Sequence, residues 1–232
     1  MNFNPKEHHR RSVRLKGYDY ALPGAYFITI CTFLHHCLFG EIVDGVMFPN
    51  EMGTVVAEEW VRSPQIRPAL QMDEWTVMPN HIHGIVIVTA VDSFRVGSHR
   101  RAPQVCNTNP GERIVPRLHR KPRSLSSFVG GFKSAVTTRV NMIRGTPREP
   151  VWQVNYHEHI IRSEEALRQI RKYIRANPWM WKYDKDNPVR TIVSPDEIDH
   201  EFVERHHLSD EDLKFFLKFD EDYRTGDGDD DS

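Results

Sequence analysis

The chain has 232 residues, of which 39% are hydrophobic, and its formal net charge at pH 7 is −1. This length suits one large domain or one domain with extensions, and the modest hydrophobic fraction indicates that part of the chain lies outside the core. We find no apolar run that predicts a membrane span and no signal peptide in the polar N-terminal region. Three scattered cysteines do not predict a disulfide framework, so we expect a reducing, cytoplasmic location.

The near-zero net charge conceals two segments of opposite sign. From Arg95 to Arg148 there are twelve basic residues and one acidic residue, a net charge of +11. From Asp196 to Ser232, fifteen acidic and four basic residues give −11. The basic segment is suited to a polyanion. The acidic segment is either a solvated solubility element or an internal competitor for the basic surface.

The first predicted elements are strands followed by a helix. The β-branched and aromatic run 26–33 predicts a buried strand after the turn at Pro23-Gly24. Asp44-Gly45 predicts the tight turn of a hairpin. Apolar residues at roughly helical spacing over 51–63 predict a helix that ends at Pro64.

The later elements continue this mixture of strands and helices. Further strands are predicted at 72–78, 81–91 and 152–161, and further helices at 124–143, 163–176 and 211–219. The polar, basic and proline-interrupted segment 95–122 predicts a linker that orders on nucleic acid, and the acidic end 225–232 predicts disorder.

The order of elements indicates an α+β fold. We expect a ferredoxin-like antiparallel sheet with helices on one face, plus the basic linker and an acidic C-terminal extension. The predicted divisions are a basic N-terminal arm at 1–15, a domain at 16–185 that contains the linker, and the acidic extension at 186–232.

Two histidines lie two residues apart at the start of the central predicted strand. Because successive side chains of a strand alternate between faces, His81 and His83 point the same way and Ile82 points opposite. Two imidazoles on one face can bind a metal ion and leave positions open for water and phosphate oxygens. The alternative is that one or both are partly buried histidines hydrogen-bonded to the backbone.

Tyr173 and Asn177 are four residues apart on a predicted helix and therefore share one of its faces. The tyrosine can act as a nucleophile, and the amide oxygen can be a third metal ligand. The alternative is ordinary: a tyrosine that packs its ring and an asparagine that closes the helix before Pro178.

Two other polar clusters have simpler explanations. By strand alternation, His157 and His159 share a face, where they either support a site or contact DNA, or form a half-exposed strand. Cys31 lies in a predicted strand as a small hydrophobic residue. With the nearby His35, His36 and Cys37 it fits no standard zinc-finger spacing, so we expect no zinc site there.

The segment 78–84, Met-Pro-Asn-His-Ile-His-Gly, resembles the metal-binding motif of HUH-type single-tyrosine transposases of the IS200-like class. Other motifs of that class follow the same order. They are Gly17–Tyr20, Gly24–Thr29, Gly131–Thr137, Val151–Gln153, Tyr156–Arg162 and Tyr173–Pro178. Together they cover about residues 11–184, and this version is most similar to the REP-associated tyrosine transposases.

The resemblance implies a metal-dependent endonuclease and strand transferase that acts on single-stranded, hairpin-containing DNA. It implies that Tyr173 attacks a backbone phosphate to form a 5′-phosphotyrosine, and that His81, His83 and Asn177 bind Mg²⁺ or Mn²⁺. It also implies a monomer or homodimer that works at the bacterial nucleoid, with no membrane partner. The alternatives are a catalytically silent protein that binds DNA hairpins and a metal-dependent nuclease without a covalent intermediate.

Basic side chains of the positive segment are the expected contacts to the DNA backbone. These residues are Arg117, Arg120, Lys121, Arg123, Lys133 and Arg139.

Overall fold

The computed structural model describes residues 22–89, 124–192, 198, 203–204 and 208–225, with the side chains of 220–225 excepted. The strands are β1 (Gly24–Cys31), β2 (Gly40–Val43), β3 (Val46–Pro49), β4 (Leu70–Met78), β5 (His81–Val88) and β6 (His157–Ile161). The helices are α1 (Glu51–Ile66), α2 (Leu125–Arg144), α3 (Glu164–Met180) and α4 (Asp210–Thr225).

Four strands form an antiparallel sheet in the order β4-β5-β1-β6. With α1 and α2 they make the βαββαβ unit of a ferredoxin-like fold, which confirms the predicted α+β class. The strands β2 and β3 form a separate hairpin. Its turn residues Asp44 and Gly45 have φ values of 50° and 74°, as a tight hairpin turn requires.

The sheet is covered by helices on both faces. Tyr26 and Ile28 of β1 lie in one buried cluster, which α1 and α2 complete. Phe27 of β1 and Ile85 of β5 lie in a second cluster, which α3 and α4 complete. The prediction of helices on one face therefore describes only α1 and α2. The apolar runs of β1 and β5 present large side chains on both faces, and the second face also needs a cover.

Both prolines that were expected to end a helix lie inside one instead. The helix α1 continues past Pro64 to Ile66, and α3 continues past Pro178 to Met180. Each proline lies in the last turn, where it removes a single backbone hydrogen bond, while Met180 remains buried against the second cluster. Both helices therefore end later in the chain than the sequence predicted.

Three predicted segments lie outside the described residues. They are the basic N-terminal arm at 1–15, the linker at 95–122 and, apart from Thr225, the acidic end at 225–232. Of the acidic extension, the structure describes the segment 186–192 and a few further residues, together with α4, where the sequence predicted a helix at 211–219. Within the described part of the chain, every helix is too short or too polar to cross a membrane.

Candidate active site

The two histidines of the central strand lie side by side at the start of β5. His81 is 0% and His83 is 1% exposed. Their Nε2 atoms are 3.0 Å apart, which confirms that both side chains point to the same face. Gly84 follows directly, and it is required there because a Cβ atom at this position would lie 2.3 Å from Cζ2 of Trp60.

The outer nitrogen of each imidazole has its own partner. Nδ1 of His81 is 2.8 Å from Oδ1 of Asn80, and Nδ1 of His83 is 2.8 Å from Oγ1 of Thr29. The Asn80 amide group donates to the backbone carbonyls of His35 and Asp186, so its Oδ1 must accept. Nδ1 of His81 therefore carries a proton, and a neutral His81 has its Nε2 lone pair available for a metal.

A carboxylate completes this group. Oδ2 of Asp184 is 3.9 Å from Nε2 of His81, and His81, His83 and Asp184 offer ligand atoms that all lie within 4.8 Å of one another. Adjacent ligands of a cation with bonds of about 2.1 Å lie about 3.0–3.4 Å apart, so the imidazole spacing fits two neighbouring ligand positions of one cation. The Asp184 oxygen, at 3.9 Å from His81, would have to approach more closely to bind the same ion.

Asp184 was not among the residues that the sequence predicted. It lies just beyond the short 3₁₀ turn Trp181–Tyr183, where its backbone N–H donates to the carbonyls of Met180 and Trp181. The pattern Asp184-Lys185-Asp186 was the available signal, since paired acids often accompany a metal site. Nothing in the spacing connects this pattern with His81, because the contact depends on the packing of α3 against the sheet.

Tyr173 lies on the same side of the sheet as the histidines. Its ring centroid is 5.4 Å from that of His83 and 5.9 Å from that of Phe27. Phe216 and Phe219 of α4 pack against its other edges. The side chain is 6% exposed. The fold thus brings the expected nucleophile beside the histidine pair.

Asn177 lies one helical turn after Tyr173 and is 3% exposed. Its Oδ1 atom is buried and has no hydrogen-bond partner among the described residues. A buried amide oxygen without a partner costs about 1–3 kcal/mol, so such an atom is well suited to a cation. Its role as a third metal ligand stays a prediction, and Asp184 is a second candidate for that position.

Ion pairs across the sheet edge hold α3 in place. Arg171 donates to both carboxylate oxygens of Asp73, at 2.9 Å and 2.5 Å. The hydrogen bond from Arg171 lowers the pKa of Asp73. Arg175 donates to Glu74 at 2.8 Å. The two acids lie where the β4–β5 pairing changes register, and their partners flank Tyr173 in the chain.

The chain has a relative in Haemophilus influenzae. The two sequences are 38% identical over 185 residues, which is 79% of this chain and 96% of the relative, an uncharacterised protein. The chain belongs to the family of that protein. No protein-family model matches the sequence.

Two solved structures are similar at a lower level. A REP-associated tyrosine transposase bound to a REP hairpin aligns with a TM-score of 0.45 and 16% identity, over 72% of this chain and 74% of that chain. A Deinococcus radiodurans R1 protein, provisionally described as a transposase, aligns with a TM-score of 0.35 and 17% identity, over 69% of this chain and 94% of that chain. At this level of similarity, the two structures do not establish the chemistry of the candidate site, which is argued from the residues of this chain alone.

The predicted DNA-contacting residues of α2 are occupied with other partners. Nζ of Lys133 donates to the backbone carbonyls of Gln153 and Asn155, at 2.9 Å and 2.7 Å. Arg139 donates to Glu58 and Glu59, at 2.5 Å and 2.9 Å, and these hydrogen bonds raise its pKa. Both belong to the helix on the face opposite Tyr173, so the structure does not bring them to the histidine pair.

Their contact with DNA stays a prediction. The other four predicted contacts lie outside the described residues: Arg117, Arg120, Lys121 and Arg123.

His157 and His159 lie on the same face as the candidate site. In β6 they pair with Thr29 and Phe27, whose side chains face His83 and α3. The ring of His159 also lies 5.6 Å from that of Phe219. Both side chains are half-buried, so this placement suits a supporting role beside the site as well as an ordinary half-exposed strand, and their role stays a prediction.

Proposed function

We propose that the chain is a metal-dependent single-stranded DNA endonuclease and strand transferase with Tyr173 as its nucleophile. One observation carries the proposal: a buried histidine pair with Nε2 atoms 3.0 Å apart lies beside the ring of Tyr173. The ordered motifs of the sequence, which resemble those of HUH-type transposases, support the same conclusion. We expect a protein with this activity to act on the DNA of the bacterial nucleoid, in the cytoplasm. We expect it to act as a monomer or a homodimer.

The metal ligands would be His81, His83 and an oxygen from Asp184, Asn177 or both. Imidazole and oxygen donors with open positions suit Mg²⁺ or Mn²⁺. A bound divalent ion offsets the negative charge that grows on the scissile phosphate in the transition state. Asn80 and Thr29 hold the two imidazoles so that both Nε2 atoms face the same point.

The reaction is a transesterification. Oη of Tyr173 attacks phosphorus, the bond from phosphorus to the 3′ oxygen breaks, and the products are a 5′-phosphotyrosine and a free 3′-OH. The phenol loses a proton and the leaving oxygen gains one, so no net proton is consumed. A phenol with a pKa of about 10 is a poor nucleophile until it is deprotonated or assisted. The covalent ester lets another 3′-OH reverse the step and join strands.

The decisive test is a covalent adduct between the protein and a single-stranded hairpin oligonucleotide in Mn²⁺. We expect the adduct with the wild-type chain and with Tyr183→Phe, a matched control in the 3₁₀ turn after α3, and none with Tyr173→Phe. An adduct with Tyr173→Phe would contradict the assignment. Cleavage that releases free 5′-phosphates without Tyr173 would indicate a water nuclease. Hairpin binding without cleavage, insensitive to His81→Ala, would indicate a silent binding protein.

A further inference from the structure

A second group of potential ligands lies behind the histidine pair, on the far side of His81. Cys31 comes from the end of β1, His35 from the turn that follows it, and Asp186 from the segment after α3. Sγ of Cys31 is 3.8 Å from Oδ2 of Asp186, and Nδ1 of His35 is 3.2 Å from Oδ1 of Asp186. The three offer ligand atoms that all lie within 4.8 Å of one another.

We propose that Cys31, His35 and Asp186 form a second cation site that takes a borderline-soft divalent ion of the Zn²⁺ class. Tetrahedral zinc with ordinary bond lengths places a sulfur and an oxygen ligand about 3.5 Å apart, and a nitrogen and an oxygen ligand about 3.3 Å apart. In this cluster Sγ of Cys31 lies 3.8 Å from Oδ2 of Asp186 and Nδ1 of His35 lies 3.2 Å from Oδ1, so the Asp186 carboxylate presents one oxygen to each of the other two ligands. A thiolate, an imidazole and a carboxylate together suit zinc rather than Mg²⁺. Three protein ligands leave one position for water.

This cluster differs from the zinc finger that the sequence led us to reject. His36 and Cys37, which made the spacing look like a finger, are exposed and do not belong to it. The third member, Asp186, is remote in sequence and reaches the cluster through the packing of the segment after α3. The rejected pattern and the proposed site therefore share only Cys31 and His35.

The turn that carries His35 is built in an unfavourable conformation. Leu34 and His35 both have φ values near the left-handed region, at 54° and 55°. Such values are uncommon outside glycine and persist only where surrounding contacts impose them. Here the amide of Asn80 donates to the His35 carbonyl at 3.1 Å, and Oγ1 of Thr32 donates to the carbonyl of His36 at 2.8 Å. These contacts hold His35 with Nδ1 toward Asp186.

Gln153 is placed to support either state of His35. Its side-chain amide nitrogen lies 2.6 Å from Nε2 of His35. Without a cation, the amide donates to Nε2, and the buried Nδ1 of His35 faces Oδ1 of Asp186 at 3.2 Å but makes no hydrogen bond within the described part of the chain. With a cation on Nδ1, the proton of the imidazole lies on Nε2. The Gln153 amide then rotates by about 180° so that its Oε1 accepts a hydrogen bond from Nε2–H. The backbone N–H of Gln153 also donates to the Cys31 carbonyl at 3.0 Å, which fixes it beside the cluster.

Loading of this site would link three parts of the chain. An ion bound to Cys31, His35 and Asp186 ties the end of β1 and its turn to the segment after α3. Asp184, two residues before Asp186, faces Nε2 of His81, whereas Asp186 faces Nδ1 of His81 at 3.6 Å. A cation at this second site would therefore help to hold Asp184 beside the first site.

The test is Co²⁺ titration of the metal-free full-length chain, read by the thiolate-to-cobalt charge-transfer band in the near ultraviolet. We expect the band in the wild-type chain and in a Cys37→Ser/Cys106→Ser variant, which retains only Cys31. Cys31→Ser should lose the band, and Asp186→Asn should weaken Co²⁺ affinity at this site by about tenfold or more. A wild-type chain without the band, or a Cys31→Ser variant that keeps it, would overturn the proposal.

Two further measurements keep the result unambiguous. His81→Ala/His83→Ala should retain the band, because the first site contributes no sulfur ligand. That variant separates this proposal from the proposed nuclease activity, which it should abolish. If Cys31→Ser does not fold, as judged by circular dichroism, Asp186→Asn decides instead: unchanged Co²⁺ affinity contradicts the site, and the expected weakening supports it.

Discussion

Asn80 is the residue that connects the two halves of the candidate site. Its Oδ1 accepts from Nδ1 of His81, while its amide donates to the backbone carbonyls of His35 and Asp186. One buried side chain thereby sets the tautomer of a metal ligand and anchors the segment that carries Asp184. The sequence showed Asn80 only as part of the motif at 78–84, because the partners of its amide group, His35 and Asp186, come from distant parts of the chain.

Asn80→Ala should therefore weaken metal binding more than it weakens the fold elsewhere. Loss of an outer partner of a metal-bound histidine typically reduces metal affinity about 10–100-fold. We expect that loss for Mn²⁺ in isothermal titration calorimetry. The matched control is Asn50→Ala, which removes the N-cap of α1 and should cost about 1 kcal/mol of folding free energy without changing Mn²⁺ affinity. Equal Mn²⁺ affinity in the wild type and Asn80→Ala would contradict this role.

Gly84 allows β5 and α1 to approach closely. In Gly84→Ala the added Cβ meets the ring of Trp60, so we expect a loss of about 1–3 kcal/mol in the free energy of unfolding measured with urea. Gly24→Ala is the control, because its nearest neighbour would be 3.5 Å away in ordinary contact. If Gly84→Ala and Gly24→Ala lower the free energy of unfolding by the same amount, close packing against Trp60 is not the reason that residue 84 is a glycine.

At the scale of elements, α3 is the part that converts a histidine pair into a candidate active site. Local rules predicted much of it: the alternation of β5 places His81 and His83 together, and the helical repeat places Asn177 after Tyr173. The same rules could not supply Asp184, or the second helical layer formed by α3 and α4. Both depend on which face of the sheet α3 covers, and this is decided by long-range packing of residues such as Phe27 and Ile85.

The Asp73–Arg171 pair should make the docking of α3 sensitive to acid. Because the hydrogen bond from Arg171 lowers the pKa of Asp73 in the folded chain, the pair stabilises the fold above the ordinary carboxyl pKa. That stabilisation is lost as the pH falls through the lowered value. We expect Asp73→Asn to cost about 1 kcal/mol or less at neutral pH and to reduce the loss of stability toward low pH.

Urea unfolding at several pH values measures this effect. Glu165→Gln on the same helix is the control, because the pair that Glu165 makes with Arg168 is exposed and should contribute little at any pH. Asp73→Asn with the wild-type pH dependence would show that the pair does not contribute in this way.

At the scale of the whole molecule, the strong charge segregation of the sequence does not coincide with the candidate site in the described residues. Lys133 and Arg139 lie on α2, which covers the sheet face opposite Tyr173, and both have protein partners there. The acidic helix α4, in contrast, packs beside Tyr173 through Phe216 and Phe219. Net charge along a chain predicts a class of partner but not the face of the fold that would meet it, since charge counts carry no information on topology.

The identity of the residue that becomes linked to DNA tests the central claim most directly. After reaction with a hairpin oligonucleotide in Mn²⁺ and nuclease digestion, trypsin cleavage after Lys172 and Arg175 isolates a peptide that contains Tyr173 as its only tyrosine. Mass spectrometry should find a nucleotide attached through a phosphate to that peptide, and no such peptide from His81→Ala/His83→Ala. A nucleotide on another tyrosine, or cleaved DNA with every tyrosine unmodified, would contradict the account.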